Sequence, residues 1–548
     1  MTKLLTLHDP VKTRAFYEGG FWRDHSFYTL LRDHAKRRGD AFFLRDASHH
    51  LTYSQALAWV DGIAARLEAA GLSEGDRVAL SVPNRVEGPL VFLACSRNGY
   101  VCNPSLHQNF TTEEAITLLQ RIKASAFVGL PGYGVDAATS DRFDRLDEIA
   151  SMRGVFRVGQ QNDPGDLLPD AALVPRASVR GPDKIVYLAF TSGTTGMPKA
   201  VMHSDNTLLA NARPMVADWS HDENTTLLSL SPLSHHNGWV ALGQMLTAGG
   251  QMVINDRPEG VSPYRWIVDN GATYIMGVPT HAIDLLAEVR AHGATSLGKV
   301  RTWYIAGSTI PPEVSRTIVK LGIKPQNVYG MTENSSHQYP MPEDDFETLT
   351  STCGRANLGY EVCIFDKDNS DIKLDVGEVG EIGGRGACLM LGYFDNQEAT
   401  ERSFNSEGWF MTGDLGVLDE KNCLRIVGRS KDMIIRGGHN IYPSQIENLA
   451  VTHAAIEKAA AFAVEDERLG EKVCLALTFA SGHQLPGDEV LAHLAQAGLS
   501  KFDMPEYLLP VDAMPMTASG KILKRDLSAS VRAGKLSPTP VRYAAGQG

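Results

Sequence analysis

No stretch of this chain carries the unbroken apolar run of ~20 residues that a membrane helix needs, so no stable membrane association is expected. Residues 1–10 hold one lysine and a very short apolar patch, without the apolar region and cleavage site of a secretory signal. Residues 545–548, Ala-Gly-Gln-Gly, match no peroxisomal or lipidation signal. These absences make the cytoplasm the expected compartment. Excess positive charge is also missing. The net charge of −12 argues against nucleic acid as a partner, although it leaves room for an anionic ligand bound locally. Cysteine is sparse: Cys95, Cys102, Cys353, Cys363, Cys388, Cys423 and Cys474 are scattered, odd in number and form no Cys-x-x-Cys. That excludes a disulfide framework and a thiolate metal site, and fits reduced, buried thiols. Internal repeats and low-complexity tracts are absent as well.

What is present is a long, ordinary-looking globular sequence. At 548 residues it exceeds one core, and 43% hydrophobic with 21% charged residues describes a multidomain enzyme-like chain. Helix and strand signals alternate from the start. Thr52 and Gln55 resemble a capping box before a helix over 56–70, and Gly71 ends it. Strands are expected at 76–82 and 126–130, with helices over 88–98 and 112–122 between them. After a Pro/Gly/Asp-rich connection at 151–180, strands are read at 184–190, 225–230, 252–254, 274–278 and 300–305, and helices at 206–217, 264–270 and 281–291. This rhythm implies parallel sheets flanked by helices, with ligands at the carboxyl ends of strands. From about 353 to 428, short β-like runs separated by Gly, Asp and Asn indicate a small β-rich subdomain. Ser430-Lys431-Asp432 is a polar break. A compact α/β segment follows, with a helix at 443–452, strands at 458–464 and 471–479, a helix at 489–497 and a basic tail.

The most informative stretch is Thr191-Ser192-Gly193-Thr194-Thr195-Gly196-Met197-Pro198-Lys199-Ala200, directly after the 184–190 strand. Glycines let backbone N–H groups turn towards an anion, hydroxyls add donors, and Lys199 adds a mobile positive charge. It is not a Walker loop, because Met197 and Pro198 separate Gly196 from Lys199 and no Ser or Thr follows. A Ser/Thr/Gly surface loop is the alternative.

Further motifs follow in order: Tyr329-Gly330-x-Thr332-Glu333, Gly408-Trp409-x-x-Thr412-Gly413-Asp414, Gly428-Arg429-x-Lys431-Asp432-x-Ile434-x-x-Gly437-Gly438-x-Asn440-Ile441, and Ser519-Gly520-Lys521-Ile522. Together with the glycine-rich loop they resemble the adenylate-forming acyl-CoA synthetase family over nearly the whole chain. The resemblance implies a large N-terminal domain, about 1–430, and a C-terminal lid, 431–548, hinged at Lys431. It implies ATP, Mg²⁺ and coenzyme A. A carboxylate attacks the α-phosphate to give an acyl-adenylate and pyrophosphate, and after lid rotation a thiol displaces AMP.

Carried over residue by residue, the resemblance gives Thr191, Ser192, Gly193, Thr194, Thr195, Gly196 and Lys199 to the pyrophosphate. Thr332 becomes a phosphate contact and Glu333 the Mg²⁺ ligand, for which a surface glutamate capping a helix is the alternative. Gly307, Ser308 and Tyr329 resemble the adenine pocket, Asp414 the ribose-diol acceptor and Arg429 a ribose or phosphate contact. Lys521 is the lid lysine that bridges substrate carboxylate and α-phosphate; alone it would read as one more lysine of a basic tail. Gly437 and Gly438 resemble the pantetheine tunnel. His236, with His235 beside it, resembles the gate of an acyl pocket lined by Trp239, Met276, Gly277, Val278, Gly330 and Met331. The family also implies a lysine acetyltransferase acting on Lys521. Here Met516 stands where a basic residue usually precedes Thr517, Ala200 stands where glycine is commoner, and Gln445 replaces a usual glutamate.

Three activities fit this pattern: a carboxylate–CoA ligase, an adenylation enzyme loading a carrier protein, and a luciferase-like oxygenase. The first is favoured, because no carrier domain follows Lys521 and no aspartate for an amino-acid amine lies near 235–239. The small and apolar pocket residues imply a medium-chain, alicyclic or aromatic monocarboxylate, with cyclohexanecarboxylate-type and medium-chain ligases the nearest in character.

Overall fold

The structure, a computed structural model, describes residues 5–160, 165–167, 177–179, 181–191, 198–308, 310–480, 482–517 and 521–543. Ser192, Gly193, Thr194, Thr195 and Gly196 of the glycine-rich loop lie outside the described residues, as do Ser519 and Gly520 and both terminal segments.

Two large sheets build the first part of the chain. One runs Lys324–Asn327, Thr302–Ile305, Tyr274–Gly277, Thr226–Ser229, Gln251–Ile254, Phe42–Arg45, His50–Thr52, and is parallel except for its last pair. The other runs Gly154–Arg157, Ala124–Gly129, Arg77–Ser81, Val101–Asn103, Ile185–Thr191, Lys199–Ser204, again parallel except for its last pair. Parallel strands need crossovers, and the helices that supply them cover the sheets. The largest apolar cluster joins Val78 and Leu80 of the second sheet to Leu227, Met252 and Tyr274 of the first, through Phe92, Leu209, Trp239 and Leu242 on helices between them. The helix Glu87–Asn98 is buried at every position, which its run Pro89-Leu90-Val91-Phe92-Leu93-Ala94-Cys95 requires. Ile116 and Leu119 cover the outer face of the second sheet, and Trp266, Leu285 and Ile318 that of the first.

The capping box at Thr52 forms as its sequence demands, and the helix begins at Tyr53. The β-rich region is a four-stranded antiparallel meander of Tyr360–Phe365, Gly380–Gly386, Phe410–Leu418 and Leu424–Arg429. Beyond the 3₁₀ turn Ser430–Asp432, a further sheet is built on Gly470–Phe479, flanked by Ile456–Asp466 and Tyr507–Pro510, with helices Pro443–Ala450 and Gly487–Gln496 packed on it.

Two elements are additional to those read from the sequence. Lys199–Ser204 is a strand that pairs antiparallel with Ile185–Thr191 at a sheet edge, so that Thr191 faces Lys199. Within the basic tail after Lys521, Lys524–Arg532 is a helix whose Leu527 is buried with Phe462 and Met514. Charged residues on its outer face masked that apolar contact.

Gly330 has a steric role that no sequence pattern revealed. It sits in the tight hairpin of Tyr329–Met331 with Ser335–Tyr339, and a Cβ there would come 1.7 Å from the Ser335 carbonyl oxygen. Gly330→Ala should therefore cost about 1–3 kcal/mol through forced backbone shifts, read as a lowered thermal midpoint at fixed scan rate.

Candidate active site

The hairpin around Gly330 turns through 332–334 and carries Glu333 inside the protein, only 8% exposed. A surface helix cap is thereby excluded. Tyr393 donates its hydroxyl proton to Glu333 Oε1 at 2.9 Å, and burial pushes the Glu333 carboxyl above its usual range. Across from it, Lys199 places Nζ 4.1 Å from the centroid of the Tyr393 ring. Burial lowers the Lys199 pKa, Glu333 raises it, and the nearby Lys431 lowers it further. Thr332 is fixed through its carbonyl, which accepts from His203 Nε2 at 2.7 Å.

The meander supplies the next pair. Asp414 and Arg429 face each other on neighbouring strands, and Arg429 Nε lies 3.0 Å from Asp414 Oδ1. The other carboxylate oxygen accepts the Tyr329 hydroxyl at 3.0 Å. Tyr329 therefore fixes the orientation of Asp414. Arg429 is held charged by Asp414 above all.

Lys521 reaches this same cluster from the far end of the chain. A Cβ built on Gly307 would meet its Cε at 3.8 Å and Val278 Cγ1 at 3.3 Å. Its backbone is anchored by reciprocal bonds with Thr517: Lys521 N–H donates to Thr517 Oγ1 at 3.1 Å, and Thr517 N–H to the Lys521 carbonyl at 2.8 Å. Burial, then repulsion by Arg429, brings the ammonium down to about 8, with Asp414 and Glu333 opposing the shift. Gly277, Val278, Gly307 and Lys521 thus come together, while Ser308 beside them is exposed.

His236 opens the helix His236–Ala248. Its Nδ1 lies 3.3 Å from the Tyr187 hydroxyl and its Nε2 3.0 Å from Ser335 Oγ. Burial, assisted by His203, pushes its pKa to about 3, so the imidazole is neutral at physiological pH. Trp239 lies one turn further along, buried against Phe92 and Tyr187. Met276 is fully buried and Met331 packs with Tyr393 and Val201, so the two methionines expected at one pocket stand in different clusters. Gly437 and Gly438, at φ +60° and +86°, form the two-residue turn between Ile434–Arg436 and His439–Ile441, a type I′ geometry that favours glycine at both places. This turn is exposed, in contrast to Lys521, which faces the buried cluster.

Tyr393, His203, Tyr187 and Ser335 escaped the sequence reading. Tyr393 follows Gly392 in an irregular stretch, and only its place between Lys199 and Glu333 gives it meaning.

Two lysines, Lys199 and Lys521, and two carboxylates, Glu333 and Asp414, are thus brought into one neighbourhood. The chain belongs to the AMP-binding enzyme family: the profile of that name matches residues 31–394, and the profile of the AMP-binding enzyme C-terminal domain matches residues 445–521. It is an adenylate-forming acyl-CoA synthetase, an AMP-forming acid–CoA ligase. The chain is similar to the medium-chain fatty-acid–CoA ligase of Escherichia coli strain K12, 30% identical over 522 residues, covering 93% of this chain and 91% of that one. It is 29% identical to the 2-hydroxy-7-methoxy-5-methyl-1-naphthoate–CoA ligase of Streptomyces carzinostaticus over 557 residues, 97% of each chain. Among solved structures, ATP-bound MatB from Rhodopseudomonas palustris superposes with a TM-score of 0.81 at 27% identity, covering 93% of this chain and 99% of that one.

A lysine brought down to about 8 is charged below that pH and neutral above it. If adenylation requires the ammonium, kcat/KM for ATP should fall through a basic limb near pH 8, since that ratio reports the free enzyme. Arg429→Gln removes a cation that depresses Lys521 and should move the limb to higher pH in a pyrophosphate-release assay.

Proposed function

We propose that the enzyme activates a medium-chain, alicyclic or aromatic monocarboxylate in the cytoplasm, cyclohexanecarboxylate-type acids included. The observation that carries the adenylation chemistry is the approach of Lys521 to Gly307, Asp414, Arg429 and Glu333, while the substrate class rests on the small and apolar residues assigned to the pocket. Lys199, with the loop hydroxyls before it, holds the pyrophosphate as it departs, and Lys521 aligns the two anions, substrate carboxylate and α-phosphate. Asp414, oriented by Tyr329, accepts the ribose hydroxyls, and Arg429 stands beside it. Gly307, Ser308 and Tyr329 border the adenine. His236 acts as a neutral wall of the acyl pocket rather than as a base, because both its nitrogens are engaged and its pKa is about 3.

Glu333 fits Mg²⁺. A buried carboxylate with a raised pKa is relieved by a hard cation shared with phosphate oxygens, and Thr332 is fixed beside it. Bound Mg²⁺ would offset the charge of the triphosphate.

We divide the chain at Lys431, on the short turn after the meander, into 1–430 and a lid of 431–548. Rotation there would exchange Lys521 for the Gly437-Gly438 turn, whose lack of side chains leaves room for a pantetheine arm. The names of the Escherichia coli and Streptomyces relatives support an uncharged medium-chain or aromatic tail.

Carboxylate-dependent pyrophosphate release, with and without coenzyme A, is the deciding assay. Octanoate, cyclohexanecarboxylate and benzoates should turn over faster than acetate or palmitate; activity confined to the latter two would refute the substrate reading. Thioester formation with free coenzyme A separates this function from carrier loading and from oxygenase chemistry. Lys521→Ala should lose ~10²–10³ in adenylation yet convert a supplied acyl-adenylate to thioester. Acetylation of Lys521 by a partner acetyltransferase would act in the same way. Gly437→Trp or Gly438→Trp should show the opposite pattern.

A further inference from the structure

The segment bearing Tyr393 is stitched to both sides of the phosphate site. On one side Leu391 N–H donates to the Met202 carbonyl at 2.8 Å, Met202 N–H to Gly392 at 3.0 Å and Phe394 N–H to Ala200 at 2.7 Å, which ties it to the strand that begins at Lys199. On the other side Met390 N–H donates to the Glu333 carbonyl at 2.7 Å. Tyr393 N–H is satisfied by Thr400 Oγ1 at 3.0 Å. The ring is 4% exposed and packs with Val201, Met390 and Phe410, so its position is fixed by the surrounding core.

From that position one phenol serves two opposite charges. Its hydroxyl binds Glu333 Oε1, and its face carries the Lys199 ammonium. Glu333 attracts Lys199, yet no direct ion pair joins the two among the described residues. A long lysine beside a buried carboxylate would otherwise close onto it, because a direct pair is strong where water is scarce. Such a collapsed pair would have to be broken before either group met a phosphate.

We propose that Tyr393 is a positioning residue of the adenylation half-reaction, a spacer that holds Lys199 on its π face and Glu333 on its hydroxyl so that both stay available to the triphosphate. The inference rests on the reading of Lys199 and Glu333 given above. Tyr393 touches no reacting atom and acts through these two side chains. It has no task in thioester formation, which uses the site after pyrophosphate has left.

Three variants test it in the full-length enzyme. Tyr393→Phe keeps the ring and removes the hydroxyl; Tyr393→Leu removes both contacts; Lys199→Met removes the cation. Displacement of a preorganised group by an ångström costs up to ~10²-fold. Pyrophosphate release, as kcat/KM for ATP, should therefore fall about tenfold in Tyr393→Phe and roughly a hundredfold in Tyr393→Leu. Thioester formation from supplied acyl-adenylate should stay within about twofold of wild type, and Tyr393→Phe should still unfold cooperatively with a thermal midpoint lowered by no more than a few degrees. In the Lys199→Met background, Tyr393→Leu should cost less than it does alone, roughly the tenfold of Tyr393→Phe, because the part routed through Lys199 is already lost and only the part through Glu333 remains. Equal losses in both half-reactions, or fully additive losses in the double variant, would overturn the spacer role while leaving the function of the site intact. Unchanged pyrophosphate release in Lys199→Met would instead overturn the assignment of Lys199, and this inference with it.

Discussion

Lys199 and Lys521, 322 positions apart in the sequence, both occupy surroundings that resist their charge, and burial lowers the pKa of each. Glu333 resists its own charge for the same reason, in the opposite direction. Desolvated groups of both signs at one place are costly for the protein alone. Under the function proposed above they are useful, since a polyanion and its cation would meet a dry site in which every interaction is stronger than in water and needs little reorganisation. The remaining architecture can be understood as the means of holding these groups in place at that cost.

The two mostly parallel sheets provide the rigidity. Their strand ends present Val278, Gly307 and Tyr329, and their antiparallel edge strand carries Lys199. Between the sheets lies a helix buried at every position, whose Phe92 ring packs against Tyr187 and Trp239. His236 stands at the border of that core. It is neutral and bonded on both nitrogens, so it adds no charge there.

Hairpins set the finer geometry. Gly330 lets two strands approach closely enough to carry Glu333 inward, and Gly437-Gly438 shapes a turn free of side chains. The meander aligns Asp414 with Arg429 across one strand pair, and Tyr329 locks the free side of the carboxylate. Each site residue thus has a backbone reason for its place and a neighbour that fixes its side chain.

The sequence alone determined the class. Five motifs in a fixed order identify the family, and the alternation of helix and strand periods predicts parallel sheets, because those signals are local and short-ranged. Helix starts such as that at Thr52 were legible for the same reason: the cap and its partner are three residues apart. Tertiary structure decided the rest. The edge strand Lys199–Ser204 is set by pairing with Ile185–Thr191, not by its own residues, and the helix Lys524–Arg532 owes its place to one buried leucine. Without the family motif Glu333 reads as a surface cap, since its burial depends on a hairpin closed by a glycine. Met276 and Met331 looked like lining of one pocket but belong to separate clusters, and Tyr393 carried no signal at all. Its role exists only where strands remote in sequence bring Lys199 and Glu333 to opposite sides of one ring, and a contact of that kind leaves no spacing for a sequence to display.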